Sequence, residues 1–453
     1  MRTYAPLAAI LGLFAIFTWL FVSATPYRTS GVVIFQGRAP APDIGAPDER
    51  QHANYIRDVM AGKGIPVLRI DDPELYENYQ AHQPPVYYFV AAAWGKLTGA
   101  DPESEAGGRS LRLLSLLMGL GTLTGAYFLS LWGTGRKAIA LGAASFGLMP
   151  MFVCLHSAVS NDPLLFLLCT WALALIVKSV VHGWKTKTSL IIGVLIGVGI
   201  LTKTSAIGLL PILLVAGLIS LKSSSPSARG RLLLPALAAG LLPLLLAAPW
   251  WIRNSQLYGD PLAMSVFNSA FKGSPQASEF IREVGPKVYW LDMVTWWTTR
   301  SFVGVFGYMD IFMFEDLADR GRVLAKSNSI YLAVQFLTAL AFAAGATFLF
   351  KKRPSDIEED LPNTRPVLIL AGVAIFVYIV LLIQFNRQYF QGQARYIYPA
   401  FGAFALLAGS GMEMLRPRLK SYSWIPLAAF LCILDLVAWQ QLGPAFALRT
   451  TGL

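Results

Sequence analysis

Asp48 and Glu49 stand side by side in a polar stretch, and His52 follows Asp48 by four residues. On a helix, positions i and i+4 share a face while adjacent residues diverge by about 100°. One of the two carboxylates can therefore face a cavity while the other holds a neighbouring loop, and His52 shares the face of Asp48. An ionised carboxylate there suits a general base that takes a proton from an acceptor hydroxyl, or a metal ligand. An acidic first turn also steadies a helix N-terminus, so both readings stand. The order Asp-Glu-x-x-His lacks the leading histidine of the helical zinc-protease motif, which excludes that chemistry. His52 and His82 are then expected to hydrogen-bond within the loop. His82-Gln83-Pro84-Pro85, with Tyr87 just beyond, opens a second helix whose N-terminus suits a phosphate. Asn161-Asp162-Pro163 has the composition of a capped helix start. It is also a candidate cavity wall.

Cations complete the set. Lys203 lies between two apolar runs, where a polyanionic headgroup is its natural partner and snorkelling to lipid phosphates the competing reading. Arg387 and Arg395 flank a short polar loop ahead of Tyr396 and Tyr398. Their forked donors can grip a phosphate or pyrophosphate, or anchor to lipid headgroups.

These groups must be positioned by membrane-spanning helices. Of 453 residues, 55% are hydrophobic and 14% charged, and the mean hydropathy is +0.53. Soluble domains carry about 25% charged residues. The apolar runs approach span length, not the ten-residue alternation of a barrel strand. The chain is therefore expected to be all-α and polytopic, with about eleven spans near 5–22, 111–132, 138–155, 163–181, 189–201, 205–221, 232–250, 330–350, 366–385, 396–415 and 422–440. The first run has the look of a signal peptide but is read as an uncleaved span. Cys154, Cys169 and Cys432 all fall in apolar runs, so no disulfide framework or cysteine-based zinc site is visible.

The net charge of +11 does not imply nucleic acid, because the basic residues sit in short loops after every second span. That is the positive-inside pattern, and it makes the N-terminus cytoplasmic. The long polar segments 23–109 and 251–329 then lie on the external face. Between Asp43 and Gln83 there are eight acidic and four basic residues. A helix is expected over 48–60, stopped by Gly62-Lys63-Gly64, and an interfacial helix over 84–94. The tryptophans of the second segment (Trp250, Trp251, Trp290, Trp296, Trp297) read mostly as an interfacial belt.

Taken in order, several motifs resemble the GT-C glycosyltransferases of the protein-mannosyltransferase and aminoarabinose-transferase type (families 39 and 83). They are Pro47-Asp48-Glu49, Pro84-Pro85-Val86-Tyr87-Tyr88, Asn161-Asp162-Pro163, Leu201-Thr202-Lys203-Thr204, Pro249-Trp250-Trp251-Ile252-Arg253-Asn254, Tyr258-Gly259-Asp260-Pro261-Leu262, Ser301-Phe302-Val303-Gly304-Val305-Phe306-Gly307-Tyr308 and Gln393-Ala394-Arg395-Tyr396-Ile397-Tyr398-Pro399-Ala400. The resemblance implies a GT-C fold with juxtamembrane helices in the first external loop. It implies a catalytic module over 1–221 and further helices over 222–453, and the chain is expected to depart from the family's frequent pattern in having no soluble C-terminal domain. The resemblance also implies transfer of a sugar from a polyprenyl-phosphate donor to a lipid, glycan or protein acceptor at the external face of a bacterial plasma membrane. By resemblance Asp48, with Glu49, is catalytic. Lys203, Arg395 and Arg387 contact the donor phosphate, and His52, His82, Gln83, Tyr87, Asn161, Asp162 and Tyr396 line the cavity. A divalent metal, if used, would sit at Asp48. The chain departs from the aminoarabinose-transferase pattern at His82-Gln83, where that group tends to have Glu-Lys.

The competing class is a transporter or flippase of a lipid-linked sugar or other anionic lipid. It predicts repeated halves and helices broken at the midplane. No sequence repeat is visible, and the polar motifs concentrate in the external loops.

Overall fold

The computed structural model describes residues 4–33, 39–274, 276–314, 329–351 and 361–451. Among the described residues, eight helices are long and apolar enough to cross a membrane: Ala5–Ala24, Glu105–Thr134, Asp162–His182, Thr204–Ser223, Gly230–Tyr258, Ile330–Phe350, Arg365–Asn386 and Ile425–Thr451. The protein is a multi-pass helical membrane protein. Three further expected spans are shorter or interrupted. Thr186–Ile200 has only 15 residues. The run expected over 138–155 divides into Lys137–Ser145, a 3-10 turn and Pro150–Leu155. Pro150 causes this division: the residue before a proline is driven out of the α region, and Met149 is extended at φ −67°, ψ 126°. The run expected over 396–415 opens with two 3-10 turns and becomes α-helical only at Phe401–Met412. The basic pair Lys352-Arg353, expected in the loop after the 330–350 span, lies outside the described residues.

In lipid there is little hydrophobic drive between helices, so close packing relies on small residues. Phe401–Met412 illustrates this. A Cβ on Gly409 would lie 2.3 Å from the Ile139 carbonyl, and one on Gly411 2.2 Å from that of Ala341. Aromatic rings fill the centre of the bundle: Phe152 stacks on Phe401 with centroids 3.9 Å apart, and Phe302 stacks on Tyr398 at 5.2 Å.

The first polar segment folds over one end of the bundle. A short hairpin pairs Gly31–Val33 with Ala39–Ala41. Helix Glu49–Met60 follows, then turns at Leu75–Asn78 and Tyr79–His82, then helix Val86–Thr98. The second segment adds helices Met264–Ala270, Ala277–Lys287 and Trp296–Val303 and a hairpin of Val305–Phe306 with Ile311–Phe312. Arg136, Lys137, Glu413, Arg416 and Lys420 gather around one basic pocket at turns between spans.

Candidate active site

The helix expected to start at Asp48 starts one residue later, and the difference decides where the side chain goes. Asp48 sits in the left-handed region at φ 65° and makes no capping hydrogen bond. Aspartate tolerates that backbone better than most residues. The turn sends its carboxylate away from the helix end. Oδ2 accepts from Arg395 Nη2 at 2.8 Å, and Oδ1 accepts from the Tyr79 hydroxyl at 2.5 Å. Helix stabilisation is therefore not what this carboxylate does.

Glu49, expected as its catalytic neighbour, points the other way and is fully buried. Arg112 grips it with two nitrogens, Nε at 2.8 Å and Nη2 at 2.6 Å, and the Val159 N–H donates at 2.7 Å. Arg112 also donates to the carbonyls of Thr25 and Pro26. Glu49 thus ties the helix start to the first span and to the loop before Asn161. Tyr87, expected to line the cavity, is also buried behind this helix, edge-on to His52 and Tyr88.

Each partner of Asp48 is held by its own element. Tyr79 is brought in because Glu77 accepts from Arg50 and Asn54, both at 2.8 Å, pinning the turn to the Glu49–Met60 helix. Arg395 sits in a loop docked on the Trp296–Val303 helix: the Ala394 N–H donates to Ser301 Oγ at 2.8 Å, and the Tyr398 hydroxyl donates to the Phe302 carbonyl at 2.7 Å.

A second ion pair lies beside the first. Lys203 Nζ is 2.5 Å from Asp162 Oδ1. Lys203 and Arg395 both face the ring of Tyr396, at 5.9 and 5.3 Å from its centroid. Neither Asn161 nor Asp162 caps the following helix with its side chain, contrary to expectation. The Asn161 amide donates instead to Gln83 Oε1 and to the Thr202 carbonyl, both at 3.3 Å. Gln83 donates to His82 Nε2 at 3.0 Å, and His82 Nδ1 donates to the Tyr79 carbonyl at 2.6 Å. A continuous polar chain thus joins the turn that carries Tyr79 to the loop that carries Lys203.

Burial would raise the Asp48 carboxyl, but the Arg395 guanidinium and the Tyr79 hydroxyl overcome it and hold the group at about 2. Burial, then the Asp48 charge, pushes the Tyr79 hydroxyl up, so Tyr79 stays a donor. Burial holds His52 at about 3 and His82 at about 4, leaving both neutral. His52 Nδ1 pairs with the Tyr88 hydroxyl at 2.9 Å.

Arg387 is not brought to this cluster. It is exposed at the end of the Arg365–Asn386 helix, and its hydrogen bond goes to Gln384. Tyr79 and Arg112 were not singled out from the sequence. Arg112 had a signal, an arginine inside an apolar run. Tyr79 had none beyond its place in the polar loop.

Asp48, the expected place of a divalent metal, faces Arg395 instead of further carboxylates. No group of three or more His, Cys, Asp or Glu is placed to hold one among the described residues. Asp48 and Asp162 each already face a cation.

The profile of the dolichyl-phosphate-mannose-protein mannosyltransferase family matches residues 82–252, well under half of the chain. Among solved structures, the chain resembles the oligosaccharyltransferase AglB from Archaeoglobus fulgidus, in complex with an inhibitory peptide and a dolichol-phosphate. The TM-score is 0.57 at 13% identity, covering 96% of this chain and 56% of AglB. It also resembles ArnT from Cupriavidus metallidurans in the apo state, with a TM-score of 0.52 at 15% identity, covering 98% of this chain and 74% of ArnT. The fold is that of the GT-C glycosyltransferases. No curated protein matches the sequence. The chain spans little more than half of AglB. Within the GT-C frame, the matched stretch holds His82, Gln83, Asn161, Asp162 and Lys203, whereas Asp48 and Arg395 lie outside it.

Proposed function

We propose that the protein is an inverting glycosyltransferase that moves a sugar from a polyprenyl-phosphate donor to a lipid, glycan or protein acceptor. One observation carries the reading: two carboxylate–cation pairs, Asp48–Arg395 and Asp162–Lys203, meet around Tyr396 at one end of a GT-C bundle. Such a transfer needs a base for the acceptor and positive charge for the departing phosphate. Asp48 is the base. Lys203 and Arg395 are the cations, because both stand beside Asp48 and Asp162 at the same end of the bundle. The phosphate is a good leaving group and needs no strong acid behind it. The family profile names a dolichyl-phosphate-mannose donor, and AglB has been solved with a dolichol-phosphate; both support a lipid-phosphate carrier.

The site combines Asp48, Asp162 and Lys203 from the proposed catalytic module, residues 1–221, with Arg395 from the C-terminal helices. We place the protein in a bacterial plasma membrane with the N-terminus cytoplasmic and the site external. The basic cluster at the turns around Arg136 and Arg416 supports that orientation. No step is routed through a metal.

The test is turnover by the purified protein with a panel of polyprenyl-phosphate sugars. Asp48→Asn is expected to lower kcat by about a hundredfold or more while leaving the protein folded. A variant that turns over like the wild type would remove Asp48 from the mechanism.

A further inference from the structure

Well away from Asp48, the bundle carries a second charged cluster. The Glu105–Thr134 helix holds Arg112, the partner of Glu49, near its start. At about 1.5 Å per residue, Thr134 lies roughly 33 Å further on, and Arg136 follows just beyond. Here the turns between spans enclose a cavity of about 870 Å³, roomy enough for a small amphiphilic ligand. The described residues around it include four cations, Arg136, Lys137, Arg416 and Lys420, and one carboxylate, Glu413. Glu413 is buried and accepts from Arg136 Nη1 and, at 3.1 Å, from Arg416 Nη1. Positive-inside topology asks only for basic residues on that face of the membrane. It requires neither a cavity nor a buried carboxylate that holds two arginines at its wall. Arg416 is half exposed and Lys420 exposed, so both can reach a ligand. The backbone of Lys420 sits at φ 50°, ψ −127°, which a residue with a Cβ adopts only where its surroundings hold it there. Phe348 and Leu361 make part of the wall apolar. Met414, Leu419 and Tyr422 are exposed on the same segment as Arg416 and Lys420. A soluble anion has no use for such an apolar rim, whereas a lipid does.

We propose that this pocket binds one anionic phospholipid, its phosphate between Arg416 and Lys420 and its acyl chains along the apolar rim. A basic pocket between membrane helices is suited to such a headgroup, because the phosphate meets fixed positive charge at the depth where lipid phosphates already lie. The lipid brings negative charge to a wall where cations outnumber carboxylates, and it ties the turn after Thr134 to the turn after Met412. This site is separate from the transferase site and does not depend on the reading of that site.

The test is lipid retention by the full-length chain in detergent, read by native mass spectrometry. One dioleoyl phosphatidylglycerol per chain is expected to be retained in preference to dioleoyl phosphatidylcholine, which has the same acyl chains and no net charge. Arg416→Gln with Lys420→Gln is expected to weaken retention by about thirtyfold, the effect of two basic residues at a lipid surface. Lys185→Gln with Lys187→Gln removes the same charge from another exposed turn and is expected to change nothing. If the pocket double variant does not fold, Lys420→Gln alone is expected to weaken retention by about fivefold. Inorganic phosphate at the same concentration is expected not to displace the lipid. Equal retention of the two lipids would overturn the proposal. Equal weakening by the two lysine and arginine double variants would do so too, since it would show general attraction to a basic surface. Displacement by inorganic phosphate would assign the pocket to a free anion instead. The chain also carries Asp356, Glu358, Glu359 and Asp360 just ahead of Leu361. Preference for phosphatidylglycerol that appears only once those four are made Asn and Gln would give the pocket to the chain's own acidic stretch, and would overturn the proposal as well.

Discussion

At Asp48 a left-handed backbone turn separates two carboxylates that are neighbours in the chain. One is held by a cation and a phenol, and the other by an arginine in the core. The same cluster carries two histidines kept neutral by burial, and this has a consequence for stability. In the unfolded chain a histidine takes up its proton near pH 6.5. In the folded protein His82 resists until about 4 and His52 until about 3. Between those values the unfolded state binds more protons, so stability falls as pH falls. Asp48 does not contribute in that window. Its depressed group gives stability that is intact above about pH 4 and is lost only as pH drops towards about 2. The melting temperature is therefore expected to decline from pH 6.5 to pH 4, and His52→Gln with His82→Gln is expected to flatten the decline. An unchanged slope in that double variant would show that other groups drive it.

Among the elements, two buried carboxylates are expected to respond to substitution in opposite ways. Glu49 fastens the Glu49–Met60 helix to the Glu105–Thr134 span through Arg112, both side chains being almost wholly buried. Removing one member of such a pair strands the other, at a cost of about 3–5 kcal/mol. Glu49→Gln is thus expected to lower the melting temperature sharply, with activity lost in proportion to folded protein. Asp435 lies on the buried face of the Ile425–Thr451 helix, and neither of its carboxyl oxygens has a hydrogen-bond partner among the described residues. Asp435→Leu is expected to be neutral or to stabilise, because an apolar group replaces an unsatisfied polar one. A strong loss of stability there would reveal a partner for the carboxyl. Neither residue was singled out for these roles from the sequence. An arginine or aspartate inside an apolar run signals a buried polar contact, but its partner lies on another helix and leaves no local trace.

The whole molecule was most legible where the physics is local. Hydropathy locates the long spans because lipid demands about twenty apolar residues in a row. Hydropathy does not register the break at Met149-Pro150, since a divided span is as greasy as a continuous one. The polar loops announced Asp48, Asp162, Lys203 and Arg395 by residue type. Their pairing was not readable: Asp48 and Arg395 are 347 positions apart, and Asp162 and Lys203 are 41 apart. Only the closed bundle brings them to one end. Arg387 marks the same limit, having the right residue type and loop but a position at an exposed helix end.

The central claim is that this end of the bundle breaks the bond between a sugar and a lipid phosphate. The most direct measurement is release of free polyprenyl phosphate from polyprenyl-phosphate sugars by the purified protein in liposomes, with acceptor present. The account predicts release with at least one donor, a transferred sugar of inverted anomeric configuration, and loss of both in Asp48→Asn. Release that continues unchanged in Asp48→Asn, or transferred sugar with retained configuration, would contradict it.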